Sequence, residues 1–227
     1  MKKIYSHIFA FFLILVSSHF FLFSQNSNSS KINLEDICNS LASNQNTTGN
    51  FIQTKHILTN GRKLVSSGNF IICNYGIMWK TLKPFPSTLI LTEEKMIQIS
   101  ANGTKSVMNG NDNQIFSNIS ETLSSVFSGN VTKLEKNFLC DFKITNIENS
   151  NSNYIWSVIL TPKDSTIASV IKTLELYGQY NSSKDKNAIL DSLKMTEASN
   201  NTITYEFSNQ QYPKELSSDD KQIFFSE

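Results

Sequence analysis

Histidine and arginine are scarce in this sequence of 227 residues, and their scarcity excludes two kinds of site. Of the three histidines, only His56 lies outside the apolar N-terminal segment. One histidine cannot build a histidine-rich metal site, because such sites take several imidazole ligands. Arg62 is the only arginine, and the lysines do not cluster as a phosphate-binding surface requires. We therefore expect no metal site, and no nucleic acid as a partner.

Motifs for catalysis are missing as well. The chain contains no Gly-x-Ser-x-Gly elbow and no glycine-rich phosphate-binding fingerprint. Paired carboxylates occur at Glu93-Glu94, in a turn, and at Asp219-Asp220, in a polar tail, where solvated charge is their ordinary role. We predict a protein that is not an enzyme, with no catalytic residues and no cofactor. A hydrolase of acyl chains is an alternative, and its histidine-dependent form would need His56 inside a cavity.

Cysteine is also rare. Cys38, Cys73 and Cys140 are too few for a disulfide scaffold, and they form no CxxC pair. We interpret them as small buried apolar residues. In an oxidising compartment one pair could form a disulfide and leave one thiol over, and the sequence does not choose the pair.

The N-terminus has the pattern of a secretion signal. Two lysines precede an apolar stretch that is broken by Ser-Ser-His, and Ser24 offers a cleavage point. A membrane-spanning helix needs about 20 continuous apolar residues, so a cleaved signal is favoured over an uncleaved anchor. No cysteine follows the apolar core as a lipid-attachment site. We predict a signal peptide over residues 1–24, a linker over 25–32, and a location in the periplasm.

Apolar periodicity predicts one mainly β domain over residues 33–212, followed by a polar tail over 213–227. Asn33 can cap a helix whose apolar residues recur at helical spacing up to Leu41. From Gly49 onward the apolar period becomes two, which is typical of strands. Strands are predicted at about 49–59, 64–74, 76–82, 87–92, 95–100, 104–109, 131–136, 138–147, 154–161, 174–181, 187–197 and 202–209.

Short turns connect these strands, which implies an antiparallel meander. Asn60-Gly61 is the strongest turn signal, because both residues tolerate the positive φ of a two-residue reversal. Two further helical windows interrupt the strands, one over residues 119–129 and one from Ile167 to Leu174. The sequence therefore indicates about eleven strands and three short helices.

Some predicted strands are apolar on both faces, as in Phe70-Ile71-Ile72 and Leu89-Ile90-Leu91. Such strands need cover on both sides of the sheet, and three short helices cannot cover a flat sheet of this size. We therefore predict a curled antiparallel sheet, an unclosed β-barrel, with short helices as a lid over an apolar cavity.

The predicted cavity suits acyl chains, because each methylene that leaves water gains about 0.8 kcal/mol without polar recognition. Ordinary core packing is the alternative for any single residue. Several aromatic residues should meet inside the curl: Phe51, Phe70, Trp79, Phe116 and Phe127. The predicted lipid-binding residues are Phe51, Phe70, Trp79, Leu89, Leu91, Ile97 and Ile99.

A series of short motifs occurs in order along residues 33–210. Those in the first four predicted strands are Gly49-Asn-Phe51-Ile-Gln53, Ser67-Gly68-Asn69-Phe70, Met78-Trp79-Lys80 and the run from Lys83-Pro84-Phe85-Pro86 to Leu91. Later ones are Leu160-Thr161-Pro162-Lys163 and the segment from Leu193 to Phe207. In order and spacing, this set resembles the LolA-type outer-membrane lipoprotein carrier family.

The resemblance implies an unclosed β-barrel with a helical lid, in which Leu123, Val126 and Phe127 of the 119–129 helix face the cavity. It also implies a periplasmic carrier that takes acylated lipoproteins from an inner-membrane ABC exporter and passes them to an outer-membrane acceptor. The family's arginine latch ahead of the third strand is absent here, where the chain reads Cys73-Asn74-Tyr75-Gly76. Carriage of other lipids, or a lipid-binding sensor or adaptor on the same fold, are the alternatives.

Overall fold

Eleven strands and four short helices make up the computed structural model, which describes residues 32–92, 94–109, 125–126, 129–148, 150–183 and 186–225. The strands are β1 (Asn46–Ile57), β2 (Arg62–Cys73), β3 (Gly76–Lys83), β4 (Ser87–Leu91), β5 (Lys95–Ser100), β6 (Lys105–Asn109), β7 (Phe138–Asn146), β8 (Asn153–Pro162), β9 (Ile171–Asn181), β10 (Asn187–Glu197) and β11 (Thr202–Gln211). The helices are α1 (Leu34–Ser43), α2 (Val131–Asn137), α3 (Ser165–Ala168) and α4 (Ser218–Phe225). Among the residues described, no helix has the length and apolarity needed to cross a bilayer.

All eleven strands belong to one antiparallel sheet, in the order β6-β5-β4-β3-β2-β1-β11-β10-β9-β8-β7. Two meanders meet where β1 pairs with β11, so the first and last strands lie side by side in the middle of the sheet. The sheet is not closed, and β6 and β7 form its edges. The predicted fold class, a mainly β unclosed antiparallel sheet with short helices, is confirmed.

A turn between β1 and β2 is confirmed, but the two-residue reversal is wrong: Ile57 pairs with Arg62, so residues 58–61 form a four-residue loop, and of Asn60 and Gly61 only Gly61 has a positive φ. Gly61 has φ +67°, a left-handed conformation that suits glycine, and the backbone N–H of Arg62 donates to Asn60 Oδ1 at 3.0 Å. The register of the hairpin then runs without a shift from Ile57 opposite Arg62 to Asn46 opposite Cys73. This long hairpin brings the aromatic residues of β1 and β2 next to each other.

Two predicted element types are wrong. The strand predicted at 131–136 is helix α2, because the Asn130 side chain accepts from Lys133 N at 3.0 Å and caps the first turn. The β-branched residues Val131 and Thr132 favour a strand, and this cap together with burial of Leu134 overrides them. The helix predicted from Ile167 to Leu174 ends at Ala168, and Ile171 already belongs to β9.

The predicted helix at 119–129 lies largely outside the described residues. Ser125 and Val126 are described, and both are helical and buried. Leu123 and Phe127 lie outside the described residues, as does Phe116, so their lid and cavity roles stay predictions. Val126 packs in the large apolar cluster on one face of the sheet.

That face, here called the inner face, carries a cluster to which strands β1 to β11 contribute and which α1, α2 and α3 cover. A flat sheet of eleven strands would be roughly 50 Å wide at about 4.8 Å per strand. Helix α1, with 10 residues, is only about 15 Å long. Burial of the inner face from Trp79 to Leu160 under such short helices therefore requires the sheet to curl around them.

The opposite, outer face carries a second apolar cluster on β2 to β5, and the C-terminal segment covers it. Leu216 and Phe224 pack there, and the Phe225 ring meets Tyr75 edge-on at 5.0 Å. Asn46 Nδ2 donates to Pro213 O at 3.1 Å and so holds the start of this segment to β1. The segment predicted as a polar tail is therefore part of the compact unit Ile32–Glu227 and supplies the second cover that two-sided strands need.

A charged pair ties β1 to the end of β10. Lys55 Nζ lies 2.7 Å from Glu197 Oε1. Hydrogen bonds, first from Lys55 and then from Asn201, lower the pKa of Glu197 below its ordinary value of 4.5, although partial burial opposes them. Because the folded pKa is the lower one, the stabilisation is present above the unfolded pKa and is lost as the pH falls through the folded pKa.

We therefore expect Glu197→Gln to flatten the pH dependence of the free energy of unfolding below pH 4.5, the ordinary value for this group. Urea unfolding at a series of acidic pH values measures this slope. Glu215→Gln is the control for loss of one carboxylate, since the Glu215 side chain is 85% exposed and lies 3.8 Å from Lys221. An unchanged slope in Glu197→Gln would contradict this assignment.

Candidate functional site

Five aromatic side chains on β1, β2, β3 and β11 form an apolar group on the inner face, here called the aromatic cluster: Phe51, Phe70, Trp79, Tyr205 and Phe207. The strand register places them together, because Phe51 is opposite Phe207 and Phe70 is opposite Trp79. The ring centroids of Phe70 and Phe207 are 5.0 Å apart, and those of Trp79 and Tyr205 are 5.8 Å apart. Both distances lie in the range of favourable aromatic pairs.

A glycine makes room for the cluster. Gly68 faces Phe51 across the β1–β2 pair, and a Cβ at this position would lie 1.9 Å from the carbonyl oxygen of Lys80. Only a residue without a side chain permits that approach between β2 and β3. The Phe51 ring therefore has no side chain directly opposite it on β2, and the ring is fully enclosed, with 2% of the residue exposed.

Five of the seven residues predicted to bind lipid lie together on the inner face: Phe51, Phe70, Trp79, Leu89 and Leu91. Ile97 and Ile99 do not, and the prediction that they share this surface is wrong. Ile97 pairs with Ile90 in the β4–β5 register, one residue out of step with Leu89 and Leu91. Because side chains alternate between faces, Ile97 and Ile99 belong to the outer cluster beneath α4.

Helix α1 covers the inner face with one apolar stripe, in which Leu34, Ile37, Cys38 and Leu41 are buried. Its start is fixed by a capping box, since Asn33 Oδ1 accepts from Asp36 N and Asp36 Oδ2 accepts from Asn33 N, both at 2.9 Å. The apolar stripe and the capping box explain why this short segment forms a helix and packs on the sheet.

Ser40 attaches α1 to the sheet. Its hydroxyl oxygen accepts from the backbone N–H of Ala188 at 2.7 Å, and the hydroxyl donates to the carbonyl of Lys186. Ser40 is 7% exposed, so these two bonds satisfy a buried hydroxyl at the start of β10. These two hydrogen bonds therefore join α1 to the start of β10.

We expect Ser40→Ala to lower the free energy of unfolding by about 1–3 kcal/mol, because it leaves the buried backbone N–H of Ala188 without its partner. Equilibrium unfolding in urea measures the loss. Ser43→Ala is the matched control on the same helix, since the Ser43 hydroxyl donates only to Ser40 O within α1. Equal effects of the two substitutions would contradict a holding role for Ser40.

Where α1 ends, a small pocket lies between the helix and the sheet, here called the mouth pocket, with a cavity volume of about 20 Å³. Apolar side chains form most of its wall, and polar ones lie at its rim. Its lining residues are Leu41, Asn44, Thr47, Phe70, Ile72, Leu190, Phe207, Gln210 and Tyr212. Because Phe70 and Phe207 also belong to the aromatic cluster, the mouth pocket lies at the edge of the cluster nearest the end of α1.

Two ionisable groups of this site, the Tyr205 hydroxyl and the Cys38 thiol, have raised pKa values. Burial raises the pKa of the Tyr205 hydroxyl to about 12. Burial, and then the proximity of Cys140, raises the pKa of the Cys38 thiol on α1 to about 12. Both groups therefore keep their protons, and Cys38 is a poor nucleophile. All three cysteines are free thiols.

His56 lies on the other side of the sheet. It follows Lys55 in β1 and sits opposite Thr202, five residues from Phe51 in an unshifted register, which directs it to the outer face. The histidine-dependent hydrolase therefore lacks its base at the apolar surface. Within the described ranges, no group of three or more His, Cys, Asp or Glu residues could hold a metal ion.

Sequence reasoning missed three parts of the site. Tyr205 and Phe207 carry a usable signal, since they alternate with polar residues in β11 as core-facing residues do. Ser40 carries none, because a serine on a helix shows no pattern until its partner strand is known. The rim residues Gln210 and Tyr212 meet the end of α1 only through the pairing of β11 with β1.

The fold and site define a class of protein: an open antiparallel sheet whose apolar inner face lies under short helices. No family model matches the chain, and no curated protein matches it. Solved structures with a similar fold include a LolA superfamily protein from Nitrosomonas europaea (8% identity, TM-score 0.43, covering 84% of this chain and 94% of that one). The LolA superfamily is the group that the sequence motifs resemble.

Two further structures are similar at the same level. A DUF1329 family protein from Desulfovibrio piger has 10% identity and a TM-score of 0.43, over 81% of this chain and 93% of that one. The lipoprotein LppX of Mycobacterium tuberculosis has 11% identity and a TM-score of 0.39, over 81% and 97%. These are similarities of fold, and at these values nothing about ligands follows from them.

Proposed function

We propose that the protein is a periplasmic carrier that binds acyl chains of lipoproteins or lipids on its inner face and shuttles them from the inner to the outer membrane. The single observation that carries this proposal is the aromatic cluster on the inner face, with the mouth pocket at its edge beside the end of α1. An acyl chain needs a surface of this kind, which is apolar, sheltered and reachable from one side. The role needs no catalytic group.

The energetics permit an exchange between helix and lipid. Lifting α1 would expose Leu34, Ile37 and Leu41, which are all buried, at a cost of roughly 5–9 kcal/mol. An acyl chain in their place gains about 0.8 kcal/mol per methylene, so about ten methylenes offset that cost. Long acyl chains can therefore compete with α1, whereas short ones cannot. The two hydrogen bonds of Ser40 add to the cost of opening.

The proposed partners are acylated lipoproteins or lipids, an inner-membrane ABC exporter as donor and an outer-membrane protein as acceptor. The support for the two membrane partners is the motif resemblance and the predicted signal peptide. The acyl-binding step stands apart from them, because its support is the geometry of the inner face. Experiments on purified protein can therefore test binding before any partner is known.

A fluorescent apolar probe tests the binding step. We expect the purified protein to bind the probe, and we expect long-chain fatty-acyl lipids to displace it while lipids with short chains do not. Displacement is followed by fluorescence at fixed protein concentration, with the chain length of the lipid as the variable. Failure of long-chain lipids to displace the probe, or displacement that is independent of chain length, would contradict the proposal.

A further inference from the structure

The indole nitrogen of Trp79 is unusual for a buried polar atom. Among the described residues, its indole Nε1 is a buried side-chain polar atom that has no hydrogen-bond partner, and the residue is 9% exposed. Native proteins pair nearly all such atoms, and a buried indole N–H ordinarily finds an acceptor. A buried donor without an acceptor lowers stability, so this one points to an acceptor that the described residues do not supply.

The other tryptophan shows the ordinary arrangement. Trp156 packs over Gly178 and is 1% exposed, and its Nε1 donates to the carbonyl of Gln179 at 3.0 Å. Both indoles lie in the same apolar cluster, so burial alone does not account for the difference. Trp79 differs from Trp156 in its location, because it belongs to the aromatic cluster, whose edge lies at the mouth pocket. Its ring is 5.8 Å from that of Tyr205.

The surroundings define the kind of acceptor. The indole N–H can only donate, so its partner must offer an oxygen or nitrogen lone pair. The neighbouring side chains Phe51, Phe70 and Phe207 are apolar, and Tyr205 is neutral, so none of them compensates a charge. A carboxylate placed here would lose its hydration without an opposite charge, whereas a neutral carbonyl loses much less.

We infer that Trp79 is a specificity-determining residue that donates a hydrogen bond from Nε1 to the neutral ester or amide carbonyl of an acyl group. The inference rests on the proposed acyl-chain carriage and deepens it, because it assigns the ligand class as acyl esters and amides rather than any hydrocarbon chain. Phe70 lines the mouth pocket and is the cross-strand partner of Trp79. The indole therefore neighbours a ring that lines this pocket.

A matched pair of lipids tests this. A diacylglycerol with two palmitoyl chains and the dialkyl ether of the same chain length differ only in their carbonyl groups. We expect the native protein to bind the ester about tenfold more tightly than the ether, which is the size of one well-formed hydrogen bond to a buried donor. We expect Trp79→Phe to bring this ratio close to one, and Trp156→Phe, whose N–H is already paired, to keep the native ratio.

The possible results separate the inference from the carrier proposal. Binding of both lipids without a preference in the native protein, or an unchanged preference in Trp79→Phe, overturns the role of Trp79 and leaves acyl carriage standing. Failure of both lipids to bind the native protein overturns carriage and this inference together.

A second measurement does not depend on how well the variant folds. In native protein with labelled indole nitrogens, the Trp79 Nε1 proton resonance should move downfield when the ester lipid binds and should not when the ether binds. The Trp156 resonance serves as the internal reference. An equal shift of the Trp79 resonance with both lipids overturns the inference.

Discussion

Ile37→Asp is expected to release α1 from the inner face and to raise the binding of an apolar fluorescent probe severalfold. Ile37 is fully buried on the side of α1 that packs on the sheet, and the residues with which it clusters there are apolar. A buried unpaired charge costs on the order of 3–5 kcal/mol, comparable to what the remaining apolar contacts of α1 supply. The helix should therefore detach while the sheet, which α1 only covers, keeps its strand pairing.

Asn39→Asp is the matched control, because it adds the same carboxylate to the exposed side of the same helix. Cys38 provides a second readout, since its thiol is buried on α1 and should be alkylated faster once α1 lifts. The measurement uses protein in which Cys73 and Cys140 are replaced by Ser. Equal probe binding by Ile37→Asp and Asn39→Asp would contradict the view that α1 is the cover of the inner face.

Thr47→Trp should weaken acyl-lipid binding by about tenfold or more without unfolding the sheet. Thr47 is a half-buried residue of β1 that lines the mouth pocket opposite Ile72. An indole here fills space that the acyl chain would enter, and each excluded methylene forfeits about 0.8 kcal/mol, so two methylenes already exceed a factor of ten. Lipid displacement of the fluorescent probe measures the change.

Thr54→Trp is the control for placing an indole on β1. Thr54 pairs with Val65 and Thr204 and lies on the outer face, away from the mouth pocket. Its lipid affinity should match that of the native protein. Native affinity in Thr47→Trp, with its unfolding midpoint unchanged, would show that chains do not enter through the mouth pocket.

Strand number and sheet type follow from short-range patterns, and these were predictable. Alternating apolar residues and compact turns such as Asn60-Gly61 define hairpins locally, because within β1 to β6 and within β7 to β11 each strand pairs with its neighbour in sequence. The face to which a strand turns its side chains depends on register, which is a pairwise property. Ile97 and Leu91 are equally apolar, and only the pairing of Ile97 with Ile90 separates them onto opposite faces.

The cover of the outer face by the C-terminal segment could not be predicted from sequence patterns. Apolar residues on both sides of β2 and β4 require two covers, and the sequence alone suggested a single lid. Helix α4 has few apolar residues, and its role depends on Phe224 meeting a patch formed by distant strands. Ser40 is the same kind of case, because its partners Lys186 and Ala188 are about 146 residues away.

The most direct test of acyl carriage is native mass spectrometry of the protein purified from a periplasmic extract, followed by extraction and identification of what it carries. The account predicts a single lipid adduct with acyl chains, lost on unfolding and reduced in Thr47→Trp but not in Thr54→Trp. Protein that emerges free of lipid from the extract, and that acquires no adduct when long-chain acyl lipid is added, would contradict it.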